Sequence, residues 1–144
     1  MKQLRTVTVI LLLVPMLVTL CSCSGGISRK KATEYTDNFF TAVAADNWDE
    51  AVKLFHPDRS VTEDYIQSYI ESVEAGTGAD FSSGIEITAY KGFSSSLYNS
   101  EVDGSKYEIN MKIAVGDYTF NAALDVVRND SGEGIYDFYI AEES

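Results

Sequence analysis

Along the chain the spacing of apolar residues changes once, from a helical period near 3.6 to a strand period of 2, which divides it into a helical first half and an extended second half. From Ala32, the residues Tyr35, Phe39, Ala42 and Val43 recur at three- and four-residue steps and predict an amphipathic helix ending near Ala45. Asn47, with Glu50 three residues later, fits an N-cap and its partner, and Trp48, Ala51, Val52 and Phe55 share one face of the turns that follow. This short helix stops at His56, because Pro57 pushes the residue before it out of the helical region. Ser60 with Glu63, or alternatively Thr62, caps a third helix with a stripe of Tyr65, Ile66, Tyr69, Ile70 and Val73, and Gly76 is its expected terminator.

After a Gly- and Ser-rich stretch over residues 77–84, Ile85, Ile87 and Ala89 alternate with Glu86, Thr88 and Tyr90. A longer strand follows, with Tyr107, Ile109, Met111, Ile113 and Val115 on one face and Lys106, Glu108, Asn110 and Lys112 on the other. Gly116 and Asp117 turn the chain into Tyr118, Phe120, Ala122, Leu124 and Val126, which predicts an antiparallel hairpin. Residues 129–134 turn again before a last strand over residues 135–140. The expected fold is α+β: three N-terminal helices packed on one face of a curved antiparallel sheet of about four strands.

Ahead of this domain, Lys2 and Arg5 precede an uncharged run of 14 residues over positions 7–20. As a helix the run would reach about 21 Å, short of a ~30 Å hydrocarbon core, and Pro15 interrupts it. It reads as a signal peptide rather than a permanent span. The run ends in Leu20-Cys21-Ser22-Cys23, which resembles the bacterial lipoprotein signal, an apolar residue and two small residues before the cysteine that receives diacylglycerol. Cys21 is larger than usual at its position, but making Cys21 the lipidated residue would put bulky Leu20 beside the cleaved bond. The resemblance therefore implies a signal peptide over residues 1–22 and a lipid anchor on Cys23. It also implies a cell-membrane address on the extracytoplasmic side, since two acyl chains at ~0.8 kcal/mol per buried methylene give a stable hold. A two-cysteine metal or redox pair is disfavoured, because Cys-x-Cys lacks the usual spacing and no second ligand cluster accompanies it. Residues 23–28 read as a flexible tether and residues 29–144 as one domain.

Cleavage before Cys23 leaves nine of the eleven basic residues, all but Lys2 and Arg5, against 22 acidic ones, a net charge of −13. Such acidity excludes nucleic acid and favours solubility and cationic partners. The acids are dispersed, as on a solvated surface. Arg29, Lys30 and Lys31 are the exception, six to eight residues beyond the anchor, where they serve either as solubilising charge or as contacts to anionic headgroups.

The order of elements, with Asp46-Asn47-Trp48-Asp49-Glu50-Ala51 leading into Leu54-Phe55-His56-Pro57, is similar to the small cone-shaped domains related to nuclear transport factor two and to cystatin-like bacterial lipoproteins. That resemblance implies an apolar pocket between the second helix and the sheet, used for binding, dimerisation or catalysis. The chain departs from the family in leaving little room for a strand hairpin between His56 and Thr62.

Candidate chemistry is sparse. His56 is the single histidine, which excludes a multi-histidine metal site, and its place at a helix C-terminus beside Asp58 favours a structural imidazolium. Glu86, Glu108 and Asp125 fall on the polar phase of their strands, while Asp137 lies between two apolar phases. Asn129-Asp130-Ser131-Gly132-Glu133 lacks the alternating acids and closing glutamate of a calcium loop and reads as a hairpin turn. No cofactor or metal motif is present in the sequence. Trp48, His56, Tyr107, Tyr118, Phe120 and Tyr136 are the candidate ligand-face residues, lining a groove on the concave sheet face or filling the core beneath the helices. The expected function is non-enzymatic binding of an extracytoplasmic protein, peptide or small apolar ligand. The alternative is a small cone-fold enzyme of isomerase or dehydratase type using a pocket carboxylate or His56.

Overall fold

The computed structural model describes residues 26–97 and 104–144; the stretch expected to be a signal peptide, residues 1–22, and the expected lipidation site Cys23 lie outside them. Three helices, α1 (Arg29–Ala44), α2 (Trp48–Lys53) and α3 (Glu63–Thr77), precede a short 3-10 turn at Phe81–Ser83 and four strands. The strands β1 (Glu86–Leu97), β2 (Ser105–Val115), β3 (Tyr118–Asn129) and β4 (Gly132–Glu142) form one open antiparallel sheet in sequence order. The chain is thus an α+β domain with its helices packed against one face of a four-stranded meander. Among the described residues no helix is long and apolar enough to cross a membrane.

Local chemistry sets the helix ends. Ser28 Oγ accepts the Lys31 N–H at 3.2 Å, so α1 starts three residues before the apolar stripe does. Thr62, rather than Ser60, caps α3 by accepting the Tyr65 N–H at 3.2 Å. Gly76 does not stop α3; the helix continues to Thr77 and ends where Gly78 takes a left-handed φ of 88° and returns its N–H to Glu74 O. Ile27, within the stretch read as a tether, is buried in the domain core, with its N–H aimed at Ser105 Oγ 3.4 Å away.

Inward residues of the strands carry the core. On β2, Tyr107, Ile109, Met111, Ile113 and Val115 are buried and pair across β3 with Val126, Leu124, Ala122, Phe120 and Tyr118. Irregularities in the outer strands change the faces that simple alternation predicts. A register shift between Ile87 and Ala89 sends Ala89 to the side away from the helices, opposite Lys112, and brings Tyr90 opposite Met111. A second shift, on β4, makes Tyr136 the extra residue: Ile135 pairs with Val126 and Asp137 with Asp125. Ile135, Phe138 and Ile140 can then all face the helices, which resolves the two competing apolar phases and leaves Asp137 and Tyr139 outside.

The helices lock onto β4 through rings and backbone. Phe138 lies 5.1 Å from Phe39 of α1, 5.9 Å from Phe55 and 4.7 Å from Tyr69 of α3, measured between ring centroids. Such tilted and edge-on contacts add about 0.5–1.5 kcal/mol each beyond the area they bury. The free edge of β4 is also satisfied at two residues. His56 N–H donates to Ile135 O at 2.8 Å and Ile135 N–H donates to Leu54 O at 2.8 Å, forming an isolated parallel bridge. Five residues on, the Tyr69 hydroxyl accepts the Ile140 N–H at 3.0 Å and lies 3.3 Å from Ile140 O. At Ile135 and Ile140 the edge groups that would otherwise invite another strand are occupied within the chain.

The bridge requires a glycine. A Cβ at Gly134 would lie 2.5 Å from His56 N and 2.6 Å from Phe55 C, backbone atoms that cannot swing aside. Gly134→Ala is therefore expected to destabilise the domain by about 2 kcal/mol or more, by breaking the bridge or displacing β4. An unchanged urea midpoint would refute this.

Candidate functional site

Where α2 ends, the chain makes a polar knot against the β3–β4 turn. His56 is fully buried. Its Nδ1 accepts the Asp58 N–H at 3.0 Å, which puts the ring proton on Nε2, and Nε2 lies 3.0 Å from Asn129 Oδ1 and 3.1 Å from Gly132 O. Asn129 then reaches in three directions, since its Oδ1 also accepts the Ser131 N–H at 2.9 Å and its Nδ2 donates to Asp58 Oδ2 at 3.3 Å. Hydrogen bonds thus fix a tautomer that differs from the imidazolium expected beside Asp58: that carboxylate stays 3.7 Å from Nδ1, and the nearer partner is a backbone donor. Residues 129–133 form a hairpin turn whose asparagine anchors a histidine.

Beside this knot, Arg59 stacks its guanidinium 5.2 Å from the Tyr136 ring centroid, while its Nε is buried without a hydrogen bond. Asp58, Arg59, Ser60, Val61, Thr62 and Tyr65 line an open surface groove of about 540 Å³. Another of about 410 Å³ runs between α1 and α2, over Asn38, Ala42, Asn47 and Leu54. Both are open to solvent and neither enters the core.

The candidate ligand-face residues do not meet in one place. Tyr107 and Phe120 are buried beneath the helices. Tyr136 and half-buried Tyr118 belong to different ends of the sheet, Tyr136 against His56 with centroids 5.9 Å apart and the Tyr118 hydroxyl near Gly78. Trp48 is half-buried at the start of α2. The space a concave groove would occupy is filled by Phe39, Phe55, Ile66, Phe81 and their neighbours.

None of the described helices packs on the opposite face of the sheet, although Val127 on it is fully buried. That face carries Lys106, Glu108, Asn110 and Lys112 of β2, Asn121, Ala123 and Asp125 of β3, and Asp137 and Tyr139 of β4. Asp125 and Asp137 stand directly opposite each other, a like-charge pair across the ladder. Lys106 Nζ lies 2.9 Å from Asp125 Oδ2 and 3.8 Å from Glu108 Oε2. Burial pushes the Asp125 carboxyl above the usual range, against the pull of Lys106, and Glu108 and Asp137 push it the same way. Ala123, Asp125, Asp137, Phe138 and Tyr139 bound a shallow depression of about 70 Å³, and Tyr139 stands 56% exposed above the strands.

Tyr35 on α1 is perturbed as well. Partial burial, with the charge and hydrogen bond of Glu133 at 3.1 Å, pushes its hydroxyl up to about 12. Asn129, Arg59, Lys106 and Tyr139 were not legible as site residues: the histidine contact spans 73 residues of chain, and the outer face of β4 depends on the Tyr136 bulge.

No family model matches the chain, and neither the curated proteins nor the solved structures contain a match to it.

Because ionising Asp125 is disfavoured in the fold, its contribution to stability is fully present below its unfolded value of about 3.8 and is lost as pH rises through the raised folded value. Asp125→Asn removes this titration. Relative to the variant, the wild type should be most stable in acid and lose ground toward neutrality in paired urea melts; a constant difference across that range would contradict the placement. His56→Ala leaves Asn129 and the Asp58 N–H without their partner and should cost about 2–3 kcal/mol of stability.

Proposed function

We propose that the chain is a membrane-tethered, extracytoplasmic binding protein, anchored through Cys23, that takes a basic protein segment on the face of its sheet away from the helices. The observation that carries this reading is the facing pair Asp125–Asp137 beneath exposed Tyr139, in a domain of strongly negative charge. A lysine or arginine brought to that pair relieves the like-charge opposition and lowers the cost of keeping Asp125 ionised. Tyr139 supplies a rigid aromatic contact beside it, the residue type enriched at protein interfaces. Binding rather than catalysis is supported by His56, whose two ring nitrogens are both committed to holding the turn.

Two experiments test the proposal. Cys23→Ala should abolish incorporation of labelled fatty acid whereas Cys21→Ala should leave it intact; retained label in the first variant would remove the anchor. A photo-crosslinking residue at Tyr139 should give a discrete product in intact cells that falls several-fold in the Asp125→Asn, Asp137→Asn double variant. The same residue at Tyr65, exposed on the helical side, should give no such product. Equal yields from both positions, or indifference to the charge change, would refute the sheet-face contact.

A further inference from the structure

The three cations at the start of α1 contradict the electrostatics of their own helix. Acids occupy the first turns of α2 (Asp49 and Glu50) and α3 (Glu63 and Asp64), where the positive end of the helix dipole favours them. The first turn of α1 has no acid and opens with Arg29, Lys30 and Lys31, all exposed. Their neighbours leave the charge outward. The Arg29 guanidinium lies 3.6 Å from the Phe93 ring centroid and the Lys31 ammonium 5.6 Å from that of Tyr35, contacts that keep the charge, and Lys31 is also 3.9 Å from exposed Glu34. Lys30 has no ion pair among the described residues.

A second, independent feature fixes where these cations stand. Ile27 is a core residue held beside Ser105, and Ser28 caps α1, so the packed domain begins at Ile27. Between Cys23 and Ile27 there are four residue steps, at most about 14 Å of extended chain. That is less than two Debye lengths at physiological salt, each ~8 Å. A domain with 22 acids and nine bases is repelled by an anionic surface in most orientations. The leash nevertheless prevents it from leaving.

On this basis we infer that the domain docks with the N-terminal turn of α1 against anionic lipid headgroups, so that Arg29, Lys30 and Lys31 set its orientation on the bilayer. The inference rests on the lipid anchor proposed above. The same end carries Asp130 and Glu133 on the β3–β4 turn and Glu34 on α1, and Arg128, 3.9 Å from Glu133, offsets part of that charge. These acids confine the contact to the helix turn itself.

The test uses the full-length protein purified from membranes and reconstituted into vesicles of phosphatidylcholine alone or with phosphatidylglycerol. An uncharged amine-acylating reagent should modify Lys30 and Lys31 at least about threefold more slowly on the anionic vesicles. Lys53, on α2, serves as the internal reference. The protection should vanish near 1 M salt, where the Debye length falls to ~3 Å. Mass analysis of the Cys23 peptide in the same samples separates the two claims. Acylated protein with equal labelling on both vesicles overturns the orientation alone; a Cys23 without acyl chains overturns the anchor and the orientation with it.

Discussion

The structure depends on a pair of backbone hydrogen bonds at Ile135. They tie the end of α2 to the edge of β4, one from His56 N–H and one to Leu54 O, each 2.8 Å long. Without them the short α2 would have little to hold it, since six residues are too few for an independently stable helix. With them, Phe55 is carried onto Phe138 and Phe39, and the three helices share one aromatic contact with the sheet. The bridge also explains Gly134, since no side chain fits between β4 and the passing backbone. Gly132 follows the same logic, as its φ of 146° and the approach of Pro57 leave no room for a Cβ.

The same contact decides the fate of the single histidine. Once Leu54–Phe55–His56 lies along β4, the His56 ring has to enter the space beneath the β3–β4 turn, where water cannot solvate it. Burying an imidazole there is tolerable because each nitrogen finds a partner: a backbone donor for Nδ1, and Asn129 with the Gly132 carbonyl for Nε2. The histidine and the turn therefore stabilise each other. The polar cluster secures the sheet edge.

On the face of the sheet away from the helices the balance between charge and burial is tight. Asp125 is partly withdrawn from water and faces Asp137, and the attraction of Lys106 does not compensate fully. The basic turn of α1 likewise forgoes the acids its dipole would prefer.

Much of the architecture was legible because period and caps are local properties. The stripes of α1 and α3, the Asn47 cap and the alternation of β2 follow from side chains a few residues apart, and the helical layer, the meander and the α+β class follow from them. The charge imbalance and the Leu20-Cys21-Ser22-Cys23 junction are likewise properties of the sequence alone. Tertiary structure decided what depends on distant partners. The Tyr136 bulge, which turns Asp137 and Tyr139 outward, exists because Ile135 must meet Leu54 and His56 while Phe138 meets Phe39 and Tyr69. The partner of His56 Nε2 is an asparagine 73 residues away, and that of the Ile27 N–H a serine 78 residues away. Such pairings carry no short-range signature, so only the folded chain could assign them.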